Sequence, residues 1–108
     1  MTKDEINKAV AEKVMGWTIR DTKRLYYYEP GILISEWNPA ERIDHAWMVL
    51  EKFQYWTMNK LGDKVFFRIV FDYDEEKGIG KWTKAEADTA PMAICLAALE
   101  AVRSVPPA

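Results

Sequence analysis

At 108 residues, 49% of them hydrophobic and 30% charged, the chain is long enough for one packed core and too short for two, and it is too apolar to stay disordered. A formal net charge of −2 leaves no cationic surplus for holding nucleic acid phosphates, and no apolar run reaches the roughly 20 residues of a bilayer span. Nucleic-acid binding and membrane insertion are therefore not expected, and residues 1–108 read as a single domain. One cysteine cannot close an intrachain disulfide, which suits a reducing cytoplasm. The charged, polar opening MTKDEINK has no signal-peptide character, so the expected location is the cytoplasm.

Thr2-Lys3-Asp4-Glu5 has the form of a capping box, and Ile6, Ala9, Val10 and Val14 follow at helical spacing. Gly16 can stop this first helix, predicted over residues 3–15. Residues 17–37 are aromatic and β-branched between breakers (WTIR, LYYY, ILISEW), and read as two or three short strands with Glu29-Pro30-Gly31 at a turn. Asn38-Pro39-Ala40-Glu41 is a second helix-entry signal. The helix it opens is predicted to run to about residue 54, with Ile43, Ala46, Trp47, Leu50 and Phe53 as its apolar stripe. A strand through Trp56–Met58 and a turn at Leu61-Gly62-Asp63 come next. KVFFRIVFDY then puts Val65, Phe67, Ile69, Phe71 and Tyr73 on one face, while Phe66 and Val70 share the other with Arg68 and Asp72. The turn DEEKG leads to IGKWTKAEA as hairpin partner. Asp88 or Thr89 caps the last helix, with Pro91 in its first turn. From Met92 to Val102 Glu100 is the single charge, so this alanine-rich helix must be covered on most sides. The order of elements predicts an α+β domain. Both sheet faces look at least partly apolar, so helices on both sides, a three-layer α/β/α sandwich with a largely antiparallel sheet, fit best.

Three segments, Ala11–Trp17 (AEKVMGW), Asn38–Lys52 (NPAERIDHAWMVLEK) and Thr89–Leu99 (TAPMAICLAAL), resemble the phage ABA sandwich domain family. The resemblance spans both ends and the middle of the chain, and the C-terminal block is its most specific part. Where that family usually carries a hydroxyl and an aspartate at the start of the second helix, this chain has Glu41 and Arg42. The resemblance implies a small phage or prophage protein whose shared residues act mainly as fold determinants. It also implies, through gene context, an accessory role against host defence in the host cytoplasm.

The chemistry-bearing residues are few. His45 is the single histidine, which leaves no triad, histidine acid–base pair or His-rich metal site within one chain. By helical count it lies far from Ile43 and should face solvent or another subunit. Cys95 has no neighbouring base and should pack as a small hydrophobe. The Asp72–Glu76 carboxylates lack EF-hand spacing and read as a solvated hairpin tip. No phosphate-loop, dinucleotide or nucleophile-elbow motif occurs, so neither cofactor nor metal is expected and an enzyme is the least favoured class.

Aromatic residues are the unusual feature: five tryptophans and five tyrosines. Trp47 is expected on the buried stripe of the second helix. Trp17, Trp37 and Trp82 occur at element ends or on a strand with lysines, and Arg20, Lys23, Arg24, Arg68, Lys81 and Lys84 are the bases near them in sequence or in the sheet. Stacking for a base and cations for phosphate are what a nucleotide requires, and the free N–H groups after Thr89 add an anion site. The leading expectation is a non-enzymatic protein that sequesters a small nucleotide-like ligand in a pocket shared within a homo-oligomer. Its ligand residues would be Trp17, Arg20, Arg24, Trp37, Trp82, Lys84 and Thr89. Two other classes stand beside it: a module that blocks a host protein through an aromatic face around Tyr26–Tyr28, and a domain of purely structural role.

Overall fold

The computed structural model describes residues 1–21, 26–29 and 31–104. The capping box forms as the sequence predicts: the Thr2 hydroxyl accepts from the Glu5 N–H at 3.1 Å, and the Glu5 carboxylate accepts from the Thr2 N–H at 3.3 Å. Those bonds hold the Glu5 carboxyl below the usual carboxylate range. Helix α1 covers Lys3–Ala9 and passes into a π-helical stretch over Val10–Val14. It stops at Gly16, whose φ of 71° lets the Trp17 N–H turn back onto the Ala11 carbonyl at 2.9 Å.

The strands form two antiparallel sheets rather than one. The small sheet joins β1 (Ile19–Asp21), β2 (Tyr26–Tyr28) and β3 (Ile32–Leu33). The large one joins β4 (Tyr55–Leu61), β5 (Lys64–Asp74) and β6 (Ile79–Ala87) in sequential order. Helix α2 spans Ile43–Leu50 and α3 spans Ala90–Ser104. The chain is thus an α+β sandwich with N-terminal, central and C-terminal helices.

The C-terminal helix is its centre. α3 packs on β5 and β6 and is flanked by α2 and the N-terminal helix, and no residue from Pro91 to Val102 is exposed. Ala93, Ala97, Ala98 and Ala101 are fully buried with Ile94 and Cys95, small residues letting the neighbouring elements approach. Burial pushes the Cys95 thiol up to about 12, which makes it packing and not a nucleophile. Thr89 caps the helix, its hydroxyl accepting from the Met92 N–H at 3.4 Å, while the Asp88 carboxylate goes to Lys64 at 2.5 Å.

On the large sheet Val65, Phe67 and Ile69 are buried beneath the helices. Phe66 and Val70, on the reverse face, are half-buried as the pattern predicts. Arg68, Trp82, Lys84 and Glu86 on that face are exposed. α3 packs on β5 and β6, where Val65, Phe67 and Ile69 are buried.

The second helix is shorter than its sequence signal, beginning at Ile43 and not at the Asn-Pro pair. The reason is a buried amide. Asn7 donates from Nδ2 to the Asn38 Oδ1 at 3.1 Å and accepts at Oδ1 from the Ala40 N–H at 3.0 Å. Asn38 is thereby used as an anchor, and residues 38–42 make an isolated turn before the chain re-enters helix. The buried stripe also differs from the predicted one. Ala46, Val49 and Leu50 are buried, whereas Ile43 and Trp47 are 45% and 44% exposed, so Trp47 is not a core residue. α2 also ends at Leu50, short of residue 54, because β4 begins at Tyr55.

His45 is likewise not a free surface group. Its ring stacks on Trp37 at 5.1 Å, and its Nδ1 accepts from the Asn38 N–H at 3.0 Å. Burial, with Arg42 beside it, depresses its pKa from 6.5, while Asp44 and Glu36 pull weakly the other way. The unfolded chain then binds this proton more readily than the folded one. The histidine's contribution is present above pH 6.5 and lost as pH falls through the lower folded value. Melting temperature should therefore drop as pH falls below about 6.5, and His45→Gln should flatten that limb. The lowered carboxylates Glu5, Glu29, Asp44 and Asp88 titrate in the folded state below their ordinary values of 4.5 and 3.8, outside this window.

Candidate functional site

The two hairpins of the large sheet set a grid of side chains on the face opposite Val65, Phe67 and Ile69. Leu61 pairs with Lys64 across a tight turn in which Gly62 takes a φ of 60°. From that turn the register runs without a slip along β4. It places Thr57 opposite Arg68 and Asn59 opposite Phe66, and β6 places Lys84 and Glu86 opposite the same two residues. The row above sets Val70 between Tyr55 and Trp82. Because strand side chains alternate, all of these project to one side.

At the centre of the grid two cations face each other, Arg68 and Lys84. Like charges in direct cross-strand register repel, so this pair opposes the sheet that carries it. Among the described residues the other guanidinium groups are neutralised: Arg20 pairs with Glu29, Arg42 with Asp44 and Arg103 with Glu100. Neither Arg68 nor Lys84 has an ion-pair partner among the described residues. The Arg68 guanidinium lies 4.6 Å from the ring centre of Trp82, which is 53% exposed. Thr57, Asn59, Lys60, Phe66, Arg68 and Lys84 line an open recess of about 300 Å³ beside it. Positive charge, an exposed indole and polar side chains therefore converge on one patch.

The residues singled out from sequence do not all meet there. Trp82 and Lys84 do. Trp17 and Trp37 belong to an internal ladder: Tyr28 and Trp17 rings lie 5.7 Å apart, Trp17 and Trp37 4.6 Å, with His45 stacked beyond. Trp37 is 3% exposed and its indole N–H donates to the Asn7 carbonyl at 3.0 Å. Its faces are occupied by protein, so it wedges the small sheet against the helices and cannot stack on a base. The Arg20 guanidinium is committed to Glu29, Nη2 to Oε1 at 3.1 Å, which raises its pKa and lowers that of Glu29. Thr89 spends its oxygen on capping α3, next to the Lys64–Asp88 pair. Arg24 lies outside the described residues. Of Tyr26–Tyr28, Tyr26 is 62% exposed, Tyr27 half-buried and Tyr28 buried, so that segment offers one ring to a partner and not a broad aromatic face.

Arg68, Thr57 and Asn59 were not among the predicted ligand residues. The first hairpin is countable from its turn, but the second is not. Asp74 pairs with Ile79 and Phe71 with Lys81, one residue out of step, so counting from the β5–β6 tip puts Arg68 and Lys84 on opposite faces. That tip is a built turn: the Asp74 carboxylate accepts from the Glu76 N–H at 3.0 Å and the Lys77 N–H at 3.3 Å. Among the described residues no cluster of three or more His, Cys, Asp or Glu gathers in metal-holding geometry, and no helix is long and apolar enough to cross a membrane.

The profile of the phage ABA sandwich domain matches residues 8–99. The fold is also similar to the 2.0 Å crystal structure of a phage protein from Bacillus cereus ATCC 14579, with a TM-score of 0.66 and 30% sequence identity. That similarity covers 95% of this chain and 89% of the other. No curated protein matches. Matched over most of its length, from the N-terminal helix through the enclosed α3, this chain belongs to the phage ABA sandwich domain family.

Proposed function

We propose that the chain is a non-enzymatic phage accessory protein that holds a small, phosphate-bearing nucleotide-like ligand on the Arg68–Lys84–Trp82 face, and so sequesters a nucleotide-derived immune signal of the host. The observation that carries this reading is the cross-strand pair Arg68–Lys84, left without a counter-ion among the described residues. A bound phosphate relieves the repulsion that the sheet bears without it. Trp82 supplies a face for a base, and Thr57 and Asn59 supply neutral hydrogen-bonding groups for sugar or phosphate oxygens.

The protein incubated with lysate of phage-challenged cells, washed and heated should release a small phosphate-bearing compound detectable by mass spectrometry. The Arg68→Glu/Lys84→Glu double variant should release none. An empty wild-type eluate, or the same compound from both proteins, overturns the reading.

A second reading, a module that blocks a host protein, is favoured by a different surface. Ile43, Trp47, Trp56 and Met58 form an exposed apolar strip on the helix side of β4, where the Trp47 and Trp56 rings lie 5.5 Å apart.

A further inference from the structure

We infer that β4 is a self-association edge. Two copies of this chain pair antiparallel along Tyr55–Leu61, about a two-fold axis beside Met58, and join their three-stranded sheets into one of six strands.

The large sheet has two edges, and they are built differently. β6 carries Lys81, Lys84 and Glu86, a glycine at Gly80, and the register slip near its start, all devices that discourage further pairing. β4, the opposite edge, has one of them, Lys60. Its seven residues, YWTMNKL, include one charge and neither glycine nor proline; they pair with β5 without a slip, and all are exposed. An edge strand of this length, unbroken by a bulge, glycine or proline, presents an open row of N–H and C=O groups. Beside it, Trp56 and Met58 are 37% and 52% exposed and continue into Ile43 and Trp47 of α2. Together they leave on the order of 400 Å² of apolar surface, the size that marks an interaction site.

The occupant is identified by self-complementarity. Antiparallel pairing about Met58 sets Tyr55 against Leu61 of the second copy, Thr57 against Asn59, and Met58 against itself. Trp56 meets Lys60 of the second copy on the same side of the sheet, so the one cation of each strand lies over an indole. No like charges meet, whereas parallel in-register pairing would place Lys60 against Lys60. The interface is isologous and closes on itself. Backbone pairing and the apolar strip together bury about 1,000 Å² in total, at the lower end for specific dimers, which fits micromolar association. In the paired sheet Thr57 and Asn59 of the two copies meet across the axis, so the two cationic recesses share one floor. The inference rests on the β4 edge and not on the ligand reading above, and its test contains no ligand.

Sedimentation velocity of the full chain at about 100 µM, where a micromolar interface is largely occupied, should give twice the chain mass of 12.6 kDa. Met58→Lys and Met58→Glu should each sediment as monomers with unchanged circular dichroism, and should recombine into a 1:1 dimer when mixed. That recombination places Met58 on the axis. A wild-type monomer under these conditions overturns the inference. So does a dimer indifferent to Met58→Lys, or a monomer that takes up a different protein through β4.

Discussion

Replacing Ile94 with alanine should destabilise the protein by about 2–5 kcal/mol, and Ala98→Leu, which adds volume to the same helix, should destabilise it by about 1–3 kcal/mol. Both residues are fully buried in α3, which has β5 and β6 against it and is flanked by α2 and the N-terminal helix. A helix held in this way fails in either direction. Removing methylenes leaves a cavity that its neighbours close only in part, and adding them pushes two packed elements apart. Leucine is nearly as good a helix former as alanine, so helix propensity does not account for the loss. Arg103, exposed at the end of the same helix, provides the contrast: Arg103→Ala removes only its surface pair with Glu100 and should change stability by less than about 0.5 kcal/mol. For a domain of this size the Ile94→Ala loss corresponds to a fall in Tm on the order of 10 °C or more, read from thermal melts by circular dichroism. An Ala98→Leu variant as stable as wild type would mean that α3 has a free side.

The enclosure of α3 is legible in the sequence because an eleven-residue stretch with one charge has no other stable setting. The capping box, the stop at Gly16 and the turn at Gly62 are legible for a similar reason, since each is settled by residues a few positions apart. What the sequence conceals depends on partners far along the chain. Asn38 has the residue type, the following proline and the glutamate of a helix cap. Asn7, thirty-one positions earlier, takes its side chain and defers the helix to Ile43. Within that helix Trp47 faces outward and His45 turns in against Trp37. The tryptophans divide in the same way: nothing local distinguishes Trp37, buried in a ring ladder, from Trp82, half-open beside a guanidinium. For the ligand face the hidden quantity is register. One bulge in the β5–β6 hairpin decides whether Arg68 and Lys84 share a face, and the residues near the tip do not announce it.

The ligand face should show the signature of a site that trades stability for affinity. Lys84→Thr removes one of two opposed cations, and in the absence of ligand it should raise stability by a few tenths of a kcal/mol, up to about 1 kcal/mol. Arg68→Ala relieves the same repulsion but also removes the guanidinium from the Trp82 ring, worth about 0.5–1 kcal/mol at an exposed site, so its net effect on stability should be near zero. Affinity for the compound released from lysate should move the opposite way. Each substitution removes a charge-assisted hydrogen bond to phosphate worth about 1.5–3 kcal/mol, a loss of roughly ten- to a hundredfold by titration calorimetry. Trp82→Leu should remove about 1–3 kcal/mol of stacking while leaving the salt dependence of binding intact, because it carries no charge. Lys84→Thr should flatten that salt dependence. Surface lysines kept only for solubility predict the reverse pattern, a Lys84→Thr variant unchanged in both urea melts and titration. A stability gain paired with lost affinity at Lys84 is the result that ties the uncompensated cations to a phosphate.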